Sequence, residues 1–403
     1  MSGRVDVPED LHLPTRGMLV VGGFVLAISV AAFFRVPLLP SIGAELSLSA
    51  GQLGLLTTVF AVGRLATDIP AGRLADRLSS PGMLGVAGGA LAIGSLGFGL
   101  AATEGWLLAA SFVLGIASAT ANTSGMTYFS TAAPQHQRGM AMAGFSAALL
   151  GGQALGPMLG GVLGDGFGWR GALLTAAVVG GVVALVGSRL RLPDEGAYAA
   201  PPPADDDPTG DGNEPDARLQ RAVLYAVPFA SFFALGALPQ TLVPILGDDR
   251  YAFGPSTIGL ALGLGGACRL IGSFAGGHVA DAVSRKASLV PGLVLFGVGA
   301  GSFAVDLGPW GWVVGIVLIS LGSYGISVSA TMLADLAGGR GVGRRLGSYR
   351  FVGDIGLIAG PVVTATLYER VGIGVAVGLV AGLLLAVALT SGLLLQETHH
   401  QRA

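Results

Sequence analysis

The sequence predicts an all-α membrane protein in which twelve transmembrane helices form two six-helix bundles related by pseudo-symmetry. Three observations lead to this fold class. Only 11% of the 403 residues are charged and 52% are apolar, so the chain cannot cover a globule of this size with a charged surface. The apolar residues fall into twelve runs, each about long enough to cross a bilayer. An acidic segment separates the first six runs from the last six.

The twelve apolar runs, which we call spans 1 to 12, are separated by short polar breaks. Spans 1 to 6 are predicted at 18–38, 51–71, 83–102, 106–128, 139–164 and 169–190, and spans 7 to 12 at 222–247, 256–276, 287–306, 309–333, 347–368 and 371–395. Span 1 is longer than the core of a signal peptide and further spans follow it at once, so we expect it to be retained.

The segment 192–218 differs in composition from the rest of the chain. It contains eight acidic residues, several prolines and one basic residue, Arg218. Such a composition offers too little apolar surface to fold. We therefore predict an acidic cytoplasmic linker at 192–218 between two bundles, at 1–191 and 219–403. The near-equal lengths of the two bundles indicate a duplication.

The basic residues predict the orientation in the membrane. Fifteen of the 22 arginines and lysines fall in the N-terminal segment, alternate loops, linker and C-terminal segment on one side, whereas the loops of the other side hold only Arg170, Arg250 and Arg370. By the positive-inside rule, both termini are cytoplasmic. We expect an integral protein of a bacterial inner membrane.

The two halves align with each other at two distant places. A shift of 205 residues pairs Arg64 with Arg269 and Asp76 with Asp281, and a shift of 204 pairs 152–161 in span 5 with 356–365 in span 11. Two nearly equal shifts indicate an internal repeat rather than coincidence in a glycine-rich chain.

The motifs at these places resemble those of the major facilitator superfamily. Its loop signature, a glycine followed four residues later by an aspartate and by basic residues, is matched twice, by Gly72, Asp76 and Arg77 and by Gly277, Asp281, Arg285 and Lys286. The span 5 run Gly152, Gly156, Pro157, Gly160 and Gly161 is similar to the motif of the drug–proton antiporter branch. The resemblance implies two bundles around a cavity that opens alternately to each side, transport driven by an ion gradient, and loops that lock the conformation.

Charged residues within the spans are candidates for proton coupling and gating. Arg64 and Asp68 lie four apart on span 2, and Arg350 and Asp354 lie four apart on span 11. At 1.5 Å per residue, Asp68 and Arg350 lie about 6 Å inside the cytoplasmic surface, and Arg64 and Asp354 about 12 Å.

Spans 2 and 11 meet between the bundles in the resembled fold. We therefore hypothesise that Asp68 pairs with Arg350 and Arg64 with Asp354 when the cavity faces outward. The alternative is a local pair within each helix. Arg269 lacks a local acid and is expected to reach Asp354, a helix carbonyl end or the substrate. For Arg35, near the outer end of span 1, we favour snorkelling to the interface over attraction of an anion.

The resemblance also places a substrate cavity among spans 1, 4, 7 and 10. Its polar and aromatic candidates suit an amphipathic organic molecule, although each could instead hold helices together. They are Asn122, Thr123, Gln153, Phe232, Gln240, Ser323 and Tyr324.

These observations predict a proton-coupled secondary transporter that exports an amphipathic small molecule by alternating access. Uptake of a nutrient or organic anion by a symporter or uniporter is the alternative, and a non-transporting membrane sensor is a further one. The chain has no nucleotide-binding GxxxxGK[ST] loop, metal cluster or catalytic triad, so we expect no enzyme activity, cofactor or metal. The expected partners are substrate, protons and the lipid bilayer, without nucleic acid, and the expected state is a monomer.

Overall fold

The computed structural model describes residues 16–75, 78–134, 137–192, 215–336 and 342–397, and all regular elements in these ranges are helices. Nine helical stretches of the described chain are long and apolar enough to cross a membrane. One of them, Arg138–Gly187, has 50 residues and is broken at Gly168. At 1.5 Å per residue it is far too long for one crossing, so it counts as two spans.

Two further helices complete the set of twelve spans in the described chain. Ala50–Ala75 and Arg285–Ser302 have 26 and 18 residues. Charged residues lower the mean hydropathy of both helices, and for this reason the two helices are not among the nine stretches counted above. The nine stretches count as ten spans, and these two helices bring the number of spans in the described chain to twelve, as the sequence predicts.

The helices of the first bundle follow the predicted runs closely. Span 1 comprises Arg16–Phe33 and Leu39–Leu46, span 2 is Ala50–Ala75, span 3 is Ser80–Gly99, span 4 is Glu104–Thr131, and spans 5 and 6 are the two parts of Arg138–Gly187. Gly168 has a φ of 70°, a left-handed conformation that glycine adopts without strain. This glycine is therefore well suited to the turn between spans 5 and 6.

The second bundle repeats this arrangement. Span 7 comprises Pro215–Ala237, a π-helical turn at Leu238–Leu242 and Val243–Tyr251; span 8 is Pro255–Ala282, span 9 is Arg285–Ser302, span 10 comprises Gly308–Gly322 and Gly325–Asp335, span 11 is Val342–Val371 and span 12 is Ile373–Leu394. The helix of span 7 includes the last four residues of the predicted linker. Residues 193–214 lie outside the described residues, so the predicted linker and the predicted bounds of the two bundles stay predictions.

Span 1 is interrupted where the sequence predicts a continuous helix. Residues 34–38 form a turn between its two helices. Pro37 and Pro40 explain the break, because proline lacks the N–H that continues a helix and fits the first turn of a new one. The turn places Arg35 inside the protein rather than at the membrane interface.

The bundles have separate hydrophobic cores. One core is built from spans 1 to 6 with Ile245 of span 7, and the other from spans 7 to 12 with Val36 of span 1. With twelve crossings, residue 16, residues 78–79 and residue 394 lie on the same side, which we call the terminal face. The loops 47–49, 252–254 and the residue 372 lie on the other side, which we call the opposite face.

Candidate functional site

Spans 2 and 11 join the two bundles near the opposite face. A Cβ added at Gly54 would lie only 2.6 Å from the carbonyl oxygen of Pro361. One turn further along span 2, the Thr58 hydroxyl donates a hydrogen bond of 2.7 Å to the carbonyl oxygen of Ile358. The backbones of these helices are therefore in direct contact across the bundle boundary.

Spans 5 and 8 make the second contact between the bundles. A Cβ added at Gly259 would overlap the carbonyl oxygen of Pro157, and one added at Gly161 would overlap that of Pro255. Real carbon and oxygen atoms cannot approach so closely, so only glycine permits this separation of the helices.

A carboxylate at the end of each contact accepts a hydrogen bond from the other bundle. Glu369 Oε2 of span 11 accepts from the backbone N–H of Gly51, at the start of span 2, at 2.9 Å. Asp165 Oδ2 of span 5 accepts from the backbone N–H of Ser256, at the start of span 8, at 3.2 Å. A negative charge at a helix N-terminus is stabilised by the unsatisfied N–H groups there. We call these two contacts the carboxylate latches.

The two interbundle contacts are copies of one another under the repeat seen in the sequence. The shift of 205 relates Gly54 to Gly259, and the shift of 204 relates Pro157 to Pro361. The same two shifts relate Gly51 to Ser256 and Asp165 to Glu369. The opposite face is thus closed twice by the same arrangement of glycine, proline carbonyl and carboxylate.

The glycines of the span 5 motif contact two different neighbours. Cβ atoms added at Gly152, Gly156 and Gly160 would overlap span 1, at Ser29, Val30 and Phe34 respectively, within the first bundle. Gly161 and the carbonyl of Pro157 instead contact span 8. In the repeat, Gly356 and Gly360 pack in the same way on Phe229 and Phe233 of span 7. One side of the motif therefore packs span 5 against span 1 of the same bundle. The other side packs span 5 against span 8 of the second bundle.

A small cavity lies between the bundles at the level of the Arg269 side chain. Its volume is about 70 Å³, and Gln153, Gln240, Arg269 and Ser320 contribute the polar part of its wall. Arg269 Nη1 donates to Gln153 Oε1 at 3.2 Å, which links span 8 to span 5. We call this small cavity the central cavity. The contacts of span 2 with span 11 and of span 5 with span 8 separate it from the opposite face.

A larger cavity opens toward the terminal face. Its volume is about 590 Å³, within the range of sites for drug-sized ligands. Leu65 and Thr123 from the first bundle and Gly347, Ser348, Arg350, Phe351 and Asp354 from span 11 form its wall. Arg350 reaches across it, with Nη1 3.6 Å from Met126 Sδ of span 4. Spans 2 and 11 therefore touch near the opposite face and separate toward the terminal face.

The predicted gating charges lie on this separated part of spans 2 and 11. Arg350 and Asp354 face the larger cavity. Arg64 Nη1 donates to Ser118 Oγ of span 4, within its own bundle, at 2.7 Å. The side chain of Asp68 is outside the part of the chain that the structure describes. The hypothesised pairs belong to a state with the terminal face closed, so they stay a prediction.

The second copy of the loop signature forms a charged cluster at the terminal face. Arg285 lies 2.7 Å from Asp335 and 3.4 Å from Asp281, so both carboxylates are paired with the same guanidinium. Glu397 accepts from the backbone N–H groups of Arg285 and Lys286 at 3.1 and 3.2 Å.

The other residues of the loop signature give less information. Gly277 has open space where a side chain would be. In the first copy, Gly72 lies in the last turns of span 2. The side chains of Asp76 and Arg77 lie outside the described residues, so their locking role stays a prediction.

The predicted cavity residues divide between the cavities and the bundle interiors. Gln153 and Gln240 line the central cavity and Thr123 lines the larger one. Asn122 is buried, Phe232 packs on Gly353, Ser323 donates to the carbonyl of Ser320, and Tyr324 packs on Gly276 and Gly292. In this conformation, Phe232 and Tyr324 contact other helices of the second bundle, and Ser323 forms its hydrogen bond within span 10.

The prediction that Arg35 snorkels to the interface is wrong. Its side chain is only 1% exposed. The guanidinium lies 4.3 Å from the centre of the Phe60 ring and 3.5 Å from Thr57 Oγ1. The proline-induced turn in span 1 carries it inward, and the break was not expected from the apolar run.

Sequence reasoning did not single out the carboxylate latches or Thr58. The signal was present, since Asp165 and Glu369 match under the shift of 204 and Gly51 and Ser256 under the shift of 205. What was missing was the knowledge that the end of each helix lies against the start of a helix in the other bundle.

Comparison with known proteins agrees with this arrangement. A model of the Major Facilitator Superfamily matches residues 19–254 and residues 222–403. A crystal structure of a bacterial homolog to human lysosomal transporter Spinster, in an inward-facing and occupied conformation, superposes with a TM-score of 0.73 at 18% identity, covering 95% of this chain and 97% of that one. At this identity the likeness shows the fold alone.

Relatives by sequence include resistance proteins. Tetracycline resistance protein, class C, of Escherichia coli is 25% identical over 362 residues, 87% of this chain and 89% of that protein. An uncharacterized MFS-type transporter of Mycobacterium tuberculosis is 26% identical over 182 residues, 45% of this chain and 31% of its own length. Methyl viologen resistance protein SmvA of Salmonella typhimurium is 28% identical over 138 residues, 34% of this chain and 28% of its own length. The matches thus span about a third of the last two relatives.

Proposed function

This chain belongs to the major facilitator superfamily, and from that premise we propose that it is a proton-coupled secondary transporter that exports an amphipathic small molecule by alternating access. The observation that carries the proposal is the difference between the two faces. Near the opposite face the bundles touch through two copies of one contact, and toward the terminal face they separate around a cavity of about 590 Å³.

The doubled contact supports rocking of two rigid bodies. Most of the core of each bundle comes from its own spans, and the tightest backbone contacts between the bundles, of span 2 with span 11 and of span 5 with span 8, lie near the opposite face. Because these contacts are related by the repeat, rocking of one bundle against the other about an axis in the membrane plane would open both together. With the termini in the cytoplasm, the present state faces inward, and the reverse rotation exposes the cavity to the outside.

Proton coupling rests on the charges of the larger cavity. Asp354 and Arg350 line the open cavity in this state. When spans 2 and 11 close over them, both side chains lose their contact with water. A charge inside the membrane is costly without a partner, so closure requires ion pairing or neutralisation of the carboxylate. Protonation of Asp354 supplies the second route and ties the conformational change to the proton gradient.

The direction of transport is proposed by analogy. The relatives named for resistance to tetracycline and methyl viologen suggest efflux, which is why we place export first. Uptake of a nutrient or organic anion on the same fold is the alternative, and the arginine in the wall of the central cavity is the observation that favours it.

Transport by the full chain in proteoliposomes tests the proposal. Labelled cationic, neutral and anionic amphipathic compounds are followed with and without an imposed pH gradient, in wild type and in Asp354→Asn. We expect gradient-driven movement in wild type and its loss in Asp354→Asn, with substrate exchange retained. Asp306→Asn is the matched control, because Asp306 is an exposed loop carboxylate that contacts Tyr251 and Gly308. Movement that ignores the gradient and is unchanged in Asp354→Asn would contradict proton coupling and indicate a uniporter or another coupling ion.

A further inference from the structure

Positive charges outnumber negative ones inside the membrane region of this protein. The charged residues within the spans, away from the loops, are Arg35, Arg64, Asp68, Arg269, Arg350 and Asp354. The four residues of spans 2 and 11 balance one another. Arg35 and Arg269 are left as an excess of two positive charges.

Arg269 has unused hydrogen-bonding capacity in the central cavity. A guanidinium carries five N–H donors, and the described residues accept one hydrogen bond from it, at Gln153 Oε1, 3.2 Å away. No carboxylate of the described chain lies within ion-pair distance of Arg269. A charge held away from bulk water calls for a partner of opposite sign.

The rest of the cavity wall offers donors and no negative charge. Gln240 and Ser320 are its other polar members alongside Gln153, and no acidic side chain of the described residues lines it. Gln240 Oε1, an acceptor, is buried without a hydrogen-bond partner, and the donor that this side chain can offer to a ligand is its amide Nε2. Amide and hydroxyl N–H and O–H groups can serve an anion together with the guanidinium. Phe33 and Ile316 add an apolar surface for the remainder of a ligand.

Arg35 places a second positive charge behind the same wall. Its chain neighbours Phe33 and Val36 line the cavity. Thr57, which lies 3.5 Å from the Arg35 guanidinium, donates to the backbone oxygen of Gln240 at 3.4 Å. The Phe60 ring stabilises this guanidinium without cancelling its charge. Its field therefore adds to that of Arg269 in the cavity.

We propose that the central cavity binds the anionic head group of an amphipathic organic acid, with Arg269 as its direct ligand and Arg35 as a fixed background charge. A volume of about 70 Å³ suits a carboxylate-sized group rather than a whole drug-sized molecule. The proposal names the substrate class for the proposed transport function and rests on it. Because Gln153 and Arg269 belong to different bundles, an anion held by both would favour closure of the opposite face.

Thermal unfolding of the purified full chain in detergent tests the site directly. The probes are formate, benzoate and three compounds of one scaffold: 4-phenylbutyrate, 4-phenylbutanol and 4-phenylbutylammonium, at constant ionic strength. We expect a saturable rise in Tm with the anionic probes and none with the neutral and cationic ones. No stabilisation by any anionic probe, or equal stabilisation by all three phenylbutyl compounds, would overturn the proposal.

Variants locate the effect at Arg269. In Arg269→Gln we expect the apparent affinity for the anionic probes to fall at least about tenfold, since a charge-assisted hydrogen bond is lost. Arg269→Lys keeps the positive charge, so we expect it to retain part of the affinity. If Arg269→Gln does not fold, the reduced affinity of Arg269→Lys still tests the role of the guanidinium. Arg250→Gln is the matched control, because Arg250 lies near the opposite face and donates to the carbonyl of Phe303. Equal loss in Arg250→Gln would overturn the assignment to Arg269.

Transport assays with the same probes separate this inference from the proposed function. Binding of 4-phenylbutyrate that depends on Arg269, without movement of any compound under a pH gradient, would keep the anion site and overturn the transport proposal. Gradient-driven movement of cationic or neutral compounds that is unaffected by Arg269→Gln would keep the transport proposal and overturn the anion site.

Discussion

At the scale of single residues, the closure of the opposite face depends on the absence of side chains. Gly54 and Gly259 bring the carbonyl oxygens of Pro361 and Pro157 so close that a methyl group has no room. The chain contains 68 glycines, and most of them have no such role. Gly23, for example, has no other part of the protein within 4 Å of an added Cβ.

We predict that Gly259→Val shifts the protein toward the state in which the opposite face is open. Overpacking costs about 1–3 kcal/mol, which corresponds to a roughly fivefold to 150-fold change in the equilibrium. The measurement is the rate at which Thr58→Cys, in a Cys268→Ser background, reacts with an impermeant maleimide added at the opposite face. Thr58 is buried between spans 2 and 11, so its labelling follows opening.

The control for this experiment is Gly23→Ala. It lies on span 1 with free space around it and is expected to leave the labelling rate unchanged. If Gly259→Val labels no faster than Gly23→Ala, the contact between Gly259 and Pro157 does not govern closure.

At the scale of helices, the carboxylate latches depend on the partial positive charge at a helix N-terminus. Asp165 and Glu369 stand at the ends of spans 5 and 11 and accept hydrogen bonds from the first turns of spans 8 and 2. Each latch exists only while the two bundles touch. The latches therefore contribute to the balance between the two states without contributing to the folding of either bundle alone.

We predict that the double variant Asp165→Asn/Glu369→Gln opens the opposite face more often. Loss of one carboxylate at an exposed helix N-terminus changes an equilibrium roughly twofold to fivefold, and two such losses at separate sites add in free energy. Labelling of the same Thr58→Cys reporter should accelerate accordingly. Glu104→Gln serves as the control, because Glu104 also accepts a hydrogen bond near this face, from Gln52, but within one bundle. Equal acceleration by Glu104→Gln would contradict a specific role for the latches.

At the scale of the whole molecule, the two faces use different chemistry. The opposite face closes through glycine contacts, backbone carbonyl groups and the carboxylate latches at its exposed helix ends, whereas the wall of the larger cavity on the terminal side carries Arg350 and Asp354 within the spans. Protonation affects the opposite face only through these exposed latches, whereas at Asp354 it changes the cost of closing charged groups inside the membrane. The asymmetry gives a proton gradient a means to favour one state over the other.

We predict that exchanging the charges of Asp68 and Arg350 restores part of the transport lost in either single variant. Asp68→Arg and Arg350→Asp each place like charges opposite one another when the terminal face closes, so each should reduce transport at least about tenfold. The double variant recreates an ion pair with reversed polarity. Transport rates of the three variants in proteoliposomes form a double-mutant cycle. Simple addition of the two losses would favour the local pairs within each helix.

Much of the architecture follows from the sequence alone. Twelve spans and an internal repeat are visible in the apolar runs and in the shifts of 204 and 205, because a bilayer requires about twenty apolar residues for each crossing. The same reasoning identified Gln153, Gln240, Thr123, Arg350 and Asp354, which the structure places on cavity walls. Charged and amide groups are rare inside a membrane, so they stand out in a sequence.

Other features depend on how the helices lie against one another. The sequence does not distinguish Gln240 from Ser323, both polar and both within spans, yet one lines the cavity and the other donates to Ser320 within its own helix. The burial of Arg35 depends on a turn that reorients only five residues. Packing between distant spans decides which side of a helix faces the cavity. It also decides which face of the protein is closed. The sequence does not show either, because hydropathy indicates that a residue lies in the membrane but not which helix is its neighbour.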